Sequence, residues 1–210
     1  MRVDEPGPGE ELNTGTTTVP RQAATVILLR GGAETLEVLL VQRNPDARFM
    51  GGAWVFPGGA VDAHEGEGDA SHRAAAVREL AEEASIEGVA ADDLVKFSRW
   101  ITPAQVKIRF DTHFFVVAIP DGAEPAVDGE ECVGFGWFTP DAALAAHRNG
   151  DLLLVFPTIK HLEQLSAFDS ADALLAHARG REVVPVEPRI MMSGETARVV
   201  LPGEPGFDES

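Results

Sequence analysis

The sequence predicts an α/β fold, and two observations carry that prediction. Short apolar, β-branched runs, such as residues 23–29 and 36–42, are bounded by turn residues as strands are. Between such runs lie segments with helix start signals, above all the one that ends near Ser85. The 210 residues suit one domain of ordinary size, and a hydrophobic content of 44% is enough for a core.

Residues 1–19 are rich in Gly, Pro, Glu and Thr and predict a flexible tail, with a single domain over 20–210. Residues 23–29 and 36–42 predict two strands joined by a turn at Gly31-Gly32. Residues 48–59 predict a loop, with Trp54 and Phe56 packing beneath the functional site. Asp69 or Ser71 is placed to cap a helix running to about Ser85. Its Ala74, Ala75, Leu80 and Ala84 form the expected buried side. Residues 94–101 and 109–119 predict strands, and Thr102-Pro103 breaks the first. Residues 121–130 form an acidic Pro/Gly loop, and 133–138 another strand. Thr139 reads as an N-cap and Pro140 as the first helical residue of the next helix. Residues 152–156 are a short apolar segment, followed by helices over 157–165 and 170–179. Residues 183–186 and 197–201 predict late strands.

Charge and cysteine content exclude several classes. A net charge of −17 argues against a nucleic-acid partner. The single cysteine, Cys132, excludes an internal disulfide and suits a reducing cytoplasm. It reads as a small buried apolar residue rather than a nucleophile. No apolar run is long enough to span a membrane, and the first residues lack the pattern of a signal peptide. A cytoplasmic location is the expectation.

The segment richest in chemistry is Arg78-Glu79-Leu80-Ala81-Glu82-Glu83. At ~100° per residue, Glu79, Glu82 and Glu83 fall on one helical face. Like charges that close weaken a helix unless a cation sits among them. Oxygen-only ligands favour a hard ion such as Mg²⁺ or Mn²⁺. The competing reading is a solvated acidic face.

With Phe56-Pro57-Gly58-Gly59 ahead of it, this segment resembles the Nudix box, G-x5-E-x7-R-E-U-x-E-E-x-G-U, where U is bulky and aliphatic. Gly59 and Glu65 match the first half. Arg78, Glu79, Leu80, Glu82, Glu83 and Ile86 match the second. Twelve residues rather than seven separate Glu65 from Arg78, and Ser85 replaces the last glycine. The first departure leaves the role of Glu65 open. The second bears on a left-handed helix cap. The order of strands and helices likewise resembles the Nudix α/β/α sandwich, a mixed sheet between helical layers. That resemblance covers about 22–140. Residues from about 141 form a C-terminal extension, with 157–210 covering the domain or forming a homodimer.

The resemblance implies metal-dependent hydrolysis of a diphosphate bond. Glu82 and Glu83 would be metal ligands, and Glu79 would ligate metal or water. A Gly59 carbonyl would join the metal shell, and Arg78 would orient a glutamate. Glu131, with Glu130 as its rival, would be a further ligand or general base, because an acid before a strand Trp such as Trp137 recurs in the family. Residues 39–59 resemble the coenzyme A signature L-L-T-x-R-S-x3-R-x3-G-x3-F-P-G-G. Arg43, Arg48, Gly52 and Phe56 to Gly59 are in register, whereas Val41 and Asn44 depart. By that resemblance Arg43, Arg48, Gly58 and Gly59 bind substrate. Trp100 to Pro103 and Arg109 to Phe115 resemble the acyl-coenzyme A diphosphatase branch. The ending Asp208-Glu209-Ser210 is not a peroxisomal signal. Alternatives are ADP-ribose, a dinucleotide or a nucleoside triphosphate as substrate, or a nucleotide sensor without catalysis. Intact glutamates count against the sensor. Of the histidines, His113 reads as structural, His64 and His72 as exposed, and His161 as free to reach the site.

Overall fold

A computed structural model describes residues 12–13, 15–193 and 196–207. Most of the expected tail, residues 1–11 and 14, lies outside that range, as do 208–210. Of the remainder, Asn13 N donates to Gln105 O and Thr18 Oγ1 to Lys107 O, which lays this stretch against residues 105–107.

The chain is an α/β/α sandwich. Its strands are β1 (Arg21–Arg30), β2 (Glu37–Arg43), β3 (Trp54–Val55), β4 (Gly58–Ala60), β5 (Val95–Ile101), β6 (Phe110–Ala118), β7 (Cys132–Phe138), β8 (Pro185–Val186), β9 (Arg189–Ser193) and β10 (Thr196–Val200). The helices are α1 (Asp69–Ala84), α2 (Pro140–Asn149), α3 (Phe156–Leu165) and α4 (Ala171–Arg179). The main sheet runs β3-β2-β1-β6-β5-β8, with β4 also on β1 and β7 also on β2. It is mixed: β1 pairs with β6, and β5 with β8, in parallel, and the other pairs are antiparallel.

Apart from Thr25, the β1 run Ala24 to Leu29 is apolar because both of its faces are covered. Ala24, Val26 and Leu28 join Phe115 and Val117 of β6 under α1. Ile27 and Leu29 join Phe114 and Val116 under α2, α3 and α4. The segment expected to be an extension therefore supplies a whole layer. Ile159, Leu162, Leu165, Leu174 and Ala178 belong to the same core as the central strands.

One edge of β1 is divided between two partners. Ala23, Ala24 and Thr25 pair with Ala60, Gly59 and Gly58 of β4. Leu29 and Arg30 pair with Val38 and Glu37 of β2, which otherwise pairs with β7. The division sets Gly58 and Gly59 against β1 beneath α1.

Several expectations are corrected. The 48–59 loop contains β3 and β4, too short to show periodicity. Phe56 packs in the core on the α2–α4 face, across the sheet from α1, with Trp54 packed against that core. Neither Asp69 nor Ser71 caps α1. The N-cap is Gly68, with φ of 76°, and Asp69 instead pairs with Arg73 and Lys96. Ala76 rather than Ala74 is buried, together with Ala75, Leu80 and Ala84. Small side chains there let α1 lie close to β1 and β4. The strand expected over 197–201 is β10, and it pairs antiparallel with β9, which the sequence does not signal. Ile190 of β9 and Val199 of β10 cluster with Val106 and Phe156. Thr139 does cap α2, accepting from Ala142 N at 3.3 Å, with Pro140 as its first residue.

Ser85 ends α1 in the left-handed region, at φ 53° and ψ 27°. Its N–H donates to Ala81 O at 3.0 Å, and Ile86 N donates to Leu80 O at 3.3 Å. The conformation favours glycine, costing other residues about 1–2 kcal/mol. Ser85→Gly removes that strain and adds unfolded-state entropy worth about 0.5–1 kcal/mol. Thermal unfolding of the variant should therefore show a net gain of about 0.5–1 kcal/mol and a midpoint higher by about 1–4 °C. An unchanged or lower midpoint would contradict the cap assignment.

Candidate active site

The C-terminal half of α1, β4 and the ends of β2 and the 121–131 loop converge on one cluster of carboxylates. Arg78 organises the inner part. Its Nε donates to Glu65 Oε1 at 3.0 Å, and Nη1 donates to Glu79 Oε1 at 2.7 Å and Glu82 Oε2 at 2.9 Å. Its Nη2 donates to Ala60 O at 2.9 Å. One guanidinium thus ties the loop, the helix and β4 together through charge-assisted bonds.

The lengthened loop does not displace Glu65. A short 3-10 turn, Ala63–Glu65, returns the carboxylate to Asp62 N at 2.6 Å while it holds Arg78. The added residues are taken up beyond it, through Gly66 and Gly68, both at positive φ. Burial alone would raise the Glu65 pKa, but the Arg78 and Asp62 hydrogen bonds hold it below the usual value.

Glu79 lies against Gly59. A Cβ on that glycine would overlap the Glu79 carboxylate, so any side chain there would displace the carboxylate from its place. Burial raises the Glu79 pKa against the pull of Arg78, and the charges of Glu82 and Glu131 add to the rise. Glu83 is only 2% exposed. Its Oε2 accepts from Gly58 N at 2.9 Å, and its Oε1 lies 3.5 Å from Arg43 Nη1. Burial pushes its pKa up to about 7, with Glu79 and Glu131 adding and Gly58 N–H and Arg43 opposing.

Glu82 and Glu131 form the open side, 60% and 59% exposed. Arg43 Nη2 lies 3.4 Å from Glu131 Oε1, so the same guanidinium bridges Glu131 to Glu83. Asp128 shapes this loop. Its Oδ1 accepts from the backbone N–H of Glu130, Glu131 and Cys132, which holds its own pKa down. Sequence reasoning missed Asp128, although Asp128-Gly129 is a turn signal. Glu130 is exposed, and its carbonyl accepts from Asn44 Nδ2 at 2.8 Å.

The structure thus brings together Glu65, Arg78, Glu79, Glu82, Glu83, Glu131, Gly58 and Gly59. Arg43 is drawn onto carboxylates, a placement different from the expected free phosphate ligand. Arg48 is exposed and makes no ion pair among the described residues. Cys132 is buried, and burial pushes its thiol up to about 12, so it is no nucleophile.

The histidines stand apart. His161 is buried on the opposite sheet face, bonded to Ser98 Oγ at 2.6 Å and Pro157 O at 2.7 Å, and does not reach the site. Burial pushes its pKa down to about 4. His72 is buried rather than exposed, bonded to Gly68 O and Gln22 and stacked on His113 at 3.9 Å. His64 is exposed, as expected.

The donor set fits a hard divalent cation. It consists of carboxylate oxygens and backbone, with Gly59 leaving room for close approach. Among the described residues no three acidic, His or Cys groups converge on one point as they stand. Arg78 engages Glu65, Glu79 and Glu82, and Arg43 lies between Glu83 and Glu131.

The NUDIX domain model matches residues 19–155, and the chain belongs to the Nudix family. It is a pyrophosphohydrolase of that family, whose members use divalent metal ions on small nucleotide-type substrates. It is similar to nudix hydrolase 7 of Caenorhabditis elegans, at 28% identity over 80% of this chain and 68% of that protein. It is also 28% identical to acyl-coenzyme A diphosphatase NUDT19 of Homo sapiens over 53% of this chain, which spans 31% of that protein. A crystal structure of a NUDIX hydrolase from Alicyclobacillus acidocaldarius matches with a TM-score of 0.67 and 27% identity, covering 77% of this chain and 97% of that one. The NUDIX domain of Shewanella oneidensis NrtR, solved with ADP ribose, shares the fold at 18% identity and a TM-score of 0.52. Among the described residues no helix is long and apolar enough to cross a membrane.

Burial of the Glu83 carboxyl makes the stability of the metal-free protein depend on pH. Folded, metal-free protein retains a proton there between pH 4.5 and about 7, where the unfolded chain has lost it. Metal-free stability therefore falls as pH rises through that window. A divalent ion held by the Glu83 carboxylate would have to expel that proton. In a Mn²⁺ titration, affinity should be about tenfold tighter at pH 8 than at pH 6, with about one proton released at the lower pH. Equal affinity at the two values would contradict this assignment.

Proposed function

We propose that the enzyme hydrolyses the diphosphate bond of coenzyme A or an acyl-coenzyme A, using Mg²⁺ or Mn²⁺. The products are a 4′-phosphopantetheine species and adenosine 3′,5′-bisphosphate. The observation that carries the substrate is the register of Arg43, Arg48, Gly52 and Phe56 to Gly59 with the coenzyme A signature. The likeness to a human acyl-coenzyme A diphosphatase supports it, over about half of this chain. Arg48 stands exposed on the loop before β3, with its guanidinium uncommitted. A planar, multidentate donor suits the 3′-phosphate that distinguishes coenzyme A from other nucleotide diphosphates.

A bound divalent ion would neutralise phosphate oxygens and lower the pKa of a coordinated water. Glu79, Glu82 and Glu83 would hold it from α1, with the Gly59 backbone. Arg78 touches no substrate in this scheme. It fixes the rotamers of Glu79 and Glu82 and the position of Ala60. Glu131 approaches from the opposite side of the cluster, where it serves as an additional ligand or accepts the proton of the attacking water.

A substrate panel tests the proposal. Coenzyme A should be cleaved with higher kcat/KM than 3′-dephospho-coenzyme A, ADP-ribose, NADH or dinucleotides. Arg48→Ala should shrink the preference for the 3′-phosphate by about tenfold or more, the size of one bond to a charged group, mainly through KM. Equal rates on coenzyme A and its dephospho form would contradict the substrate assignment while leaving the hydrolase intact.

Glu131→Gln should lower kcat more than it raises KM, because the carboxylate acts in the transition state. An unchanged kcat would move that role to Glu130 or Glu79.

A further inference from the structure

We propose that Arg43 is a resident cation of the carboxylate site, which a divalent ion must displace, so that Arg43 sets the affinity of the site for metal. The proposal rests on the reading of Glu79, Glu82, Glu83 and Glu131 as the metal-binding set. It does not depend on which nucleotide is cleaved.

Two arginines lie among these carboxylates, and they are bonded differently. Arg78 uses Nε, Nη1 and Nη2, with a partner within 3.0 Å for each. Three of those partners are carboxylates and one is the backbone of β4. Moving Arg78 would break the link between α1 and Glu65. Arg43 makes two contacts, 3.5 Å to Glu83 Oε1 and 3.4 Å to Glu131 Oε1, both at the long limit of a hydrogen bond. Its Nε is buried with no partner among the described residues. An unpaired buried donor is costly. Hydrogen bonding therefore does not select this position. Charge does, because the guanidinium sits between a carboxylate that is 2% exposed and one across the site.

A guanidinium keeps its proton at any ordinary pH. A cation arriving at Glu83 therefore meets a charge that cannot be neutralised and must be moved. Arg43 is the weaker-bonded of the two arginines, so it is the one that exchanges. It stands at the last position of β2, where the loop to β3 begins, and can swing without disturbing strand pairing. Once released, its five donors are available to an anion. Metal loading and anion binding are then coupled at one residue, which reconciles its contact with carboxylates and its place in a phosphate-binding signature. The coupling is reciprocal, so anionic substrate should also tighten metal binding.

The test measures metal binding to the full chain without substrate, by calorimetry and by the electron paramagnetic resonance of free Mn²⁺. Arg43→Gln should bind Mn²⁺ about tenfold or more tighter than the unmutated protein, the scale of a lost contact to a charged group. Arg43→Lys keeps the charge and should stay close to the unmutated protein. A folded Arg43→Gln with unchanged or weaker affinity would overturn the proposal. If that variant does not fold, the unmutated protein still decides. The Arg43 Nε–H resonance should shift saturably with Mg²⁺, whereas that of Arg99, which pairs with Asp111, should not. An Arg43 signal that stays fixed at saturating Mg²⁺ would overturn it equally. Failure of the coenzyme A assay would leave these outcomes untouched, and a protein that binds no metal would contradict the site itself.

Discussion

The constraint on which the site depends is the crowding of carboxylates on one face of α1 against a backbone that has no side chain in the way. Glu79 packs on Gly59, and Glu83 is buried on the Gly58 N–H. Positive charge lies beside both carboxylates. Arg78 supplies it from within the helix, and Arg43 from β2. The divided edge of β1 is the structural counterpart, because it frees β4 to present both glycines beneath the helix. The small residues Ala75, Ala76 and Ala84 then let α1 approach closely enough for its glutamates to reach them.

Much of the site was legible in the sequence because its residues are local. Arg78, Glu79, Glu82 and Glu83 sit within two turns of one helix, and their clustering follows from helical spacing alone. The long strands and the Thr139-Pro140 start of α2 were legible for the same reason. What escaped were features set by contacts distant in sequence. The strands β3 and β4 have two and three residues and exist only because β1 and β2 offer them edges. Gly68 rather than Asp69 or Ser71 is the N-cap of α1, and Asp69 pairs with Arg73 and Lys96. His72 and His161 gave no periodic signal of burial, yet each is enclosed by partners from another element. Arg43 is the most instructive case: its neighbours Glu83 and Glu131 lie 40 and 88 residues away in the chain.

The helices beyond the family-matched region carry a second lesson. The matched residues end at 155, one residue before α3 begins. Nevertheless α3 and α4 bury Ile159, Leu162, Leu165, Leu174 and Ala178 in the core beneath the central strands. They hold the sheet from the face opposite α1, so the positions of β1 and β4 under the site depend on them. The lengthened loop is the reverse case. It departs from the family spacing, yet Glu65 still meets Arg78, because the insertion is absorbed after the short turn that carries Glu65.

The central claim is that the carboxylates of α1 and the Gly59 backbone form a divalent-metal site now held by arginines. Anomalous scattering from a Mn²⁺-loaded crystal tests it most directly. The account predicts a peak bonded to Glu83 and at least one of Glu79 and Glu82, with Arg78 still on Glu65 and Arg43 withdrawn from Glu83. A peak elsewhere on the chain, or none at saturating Mn²⁺ above pH 7, would contradict it.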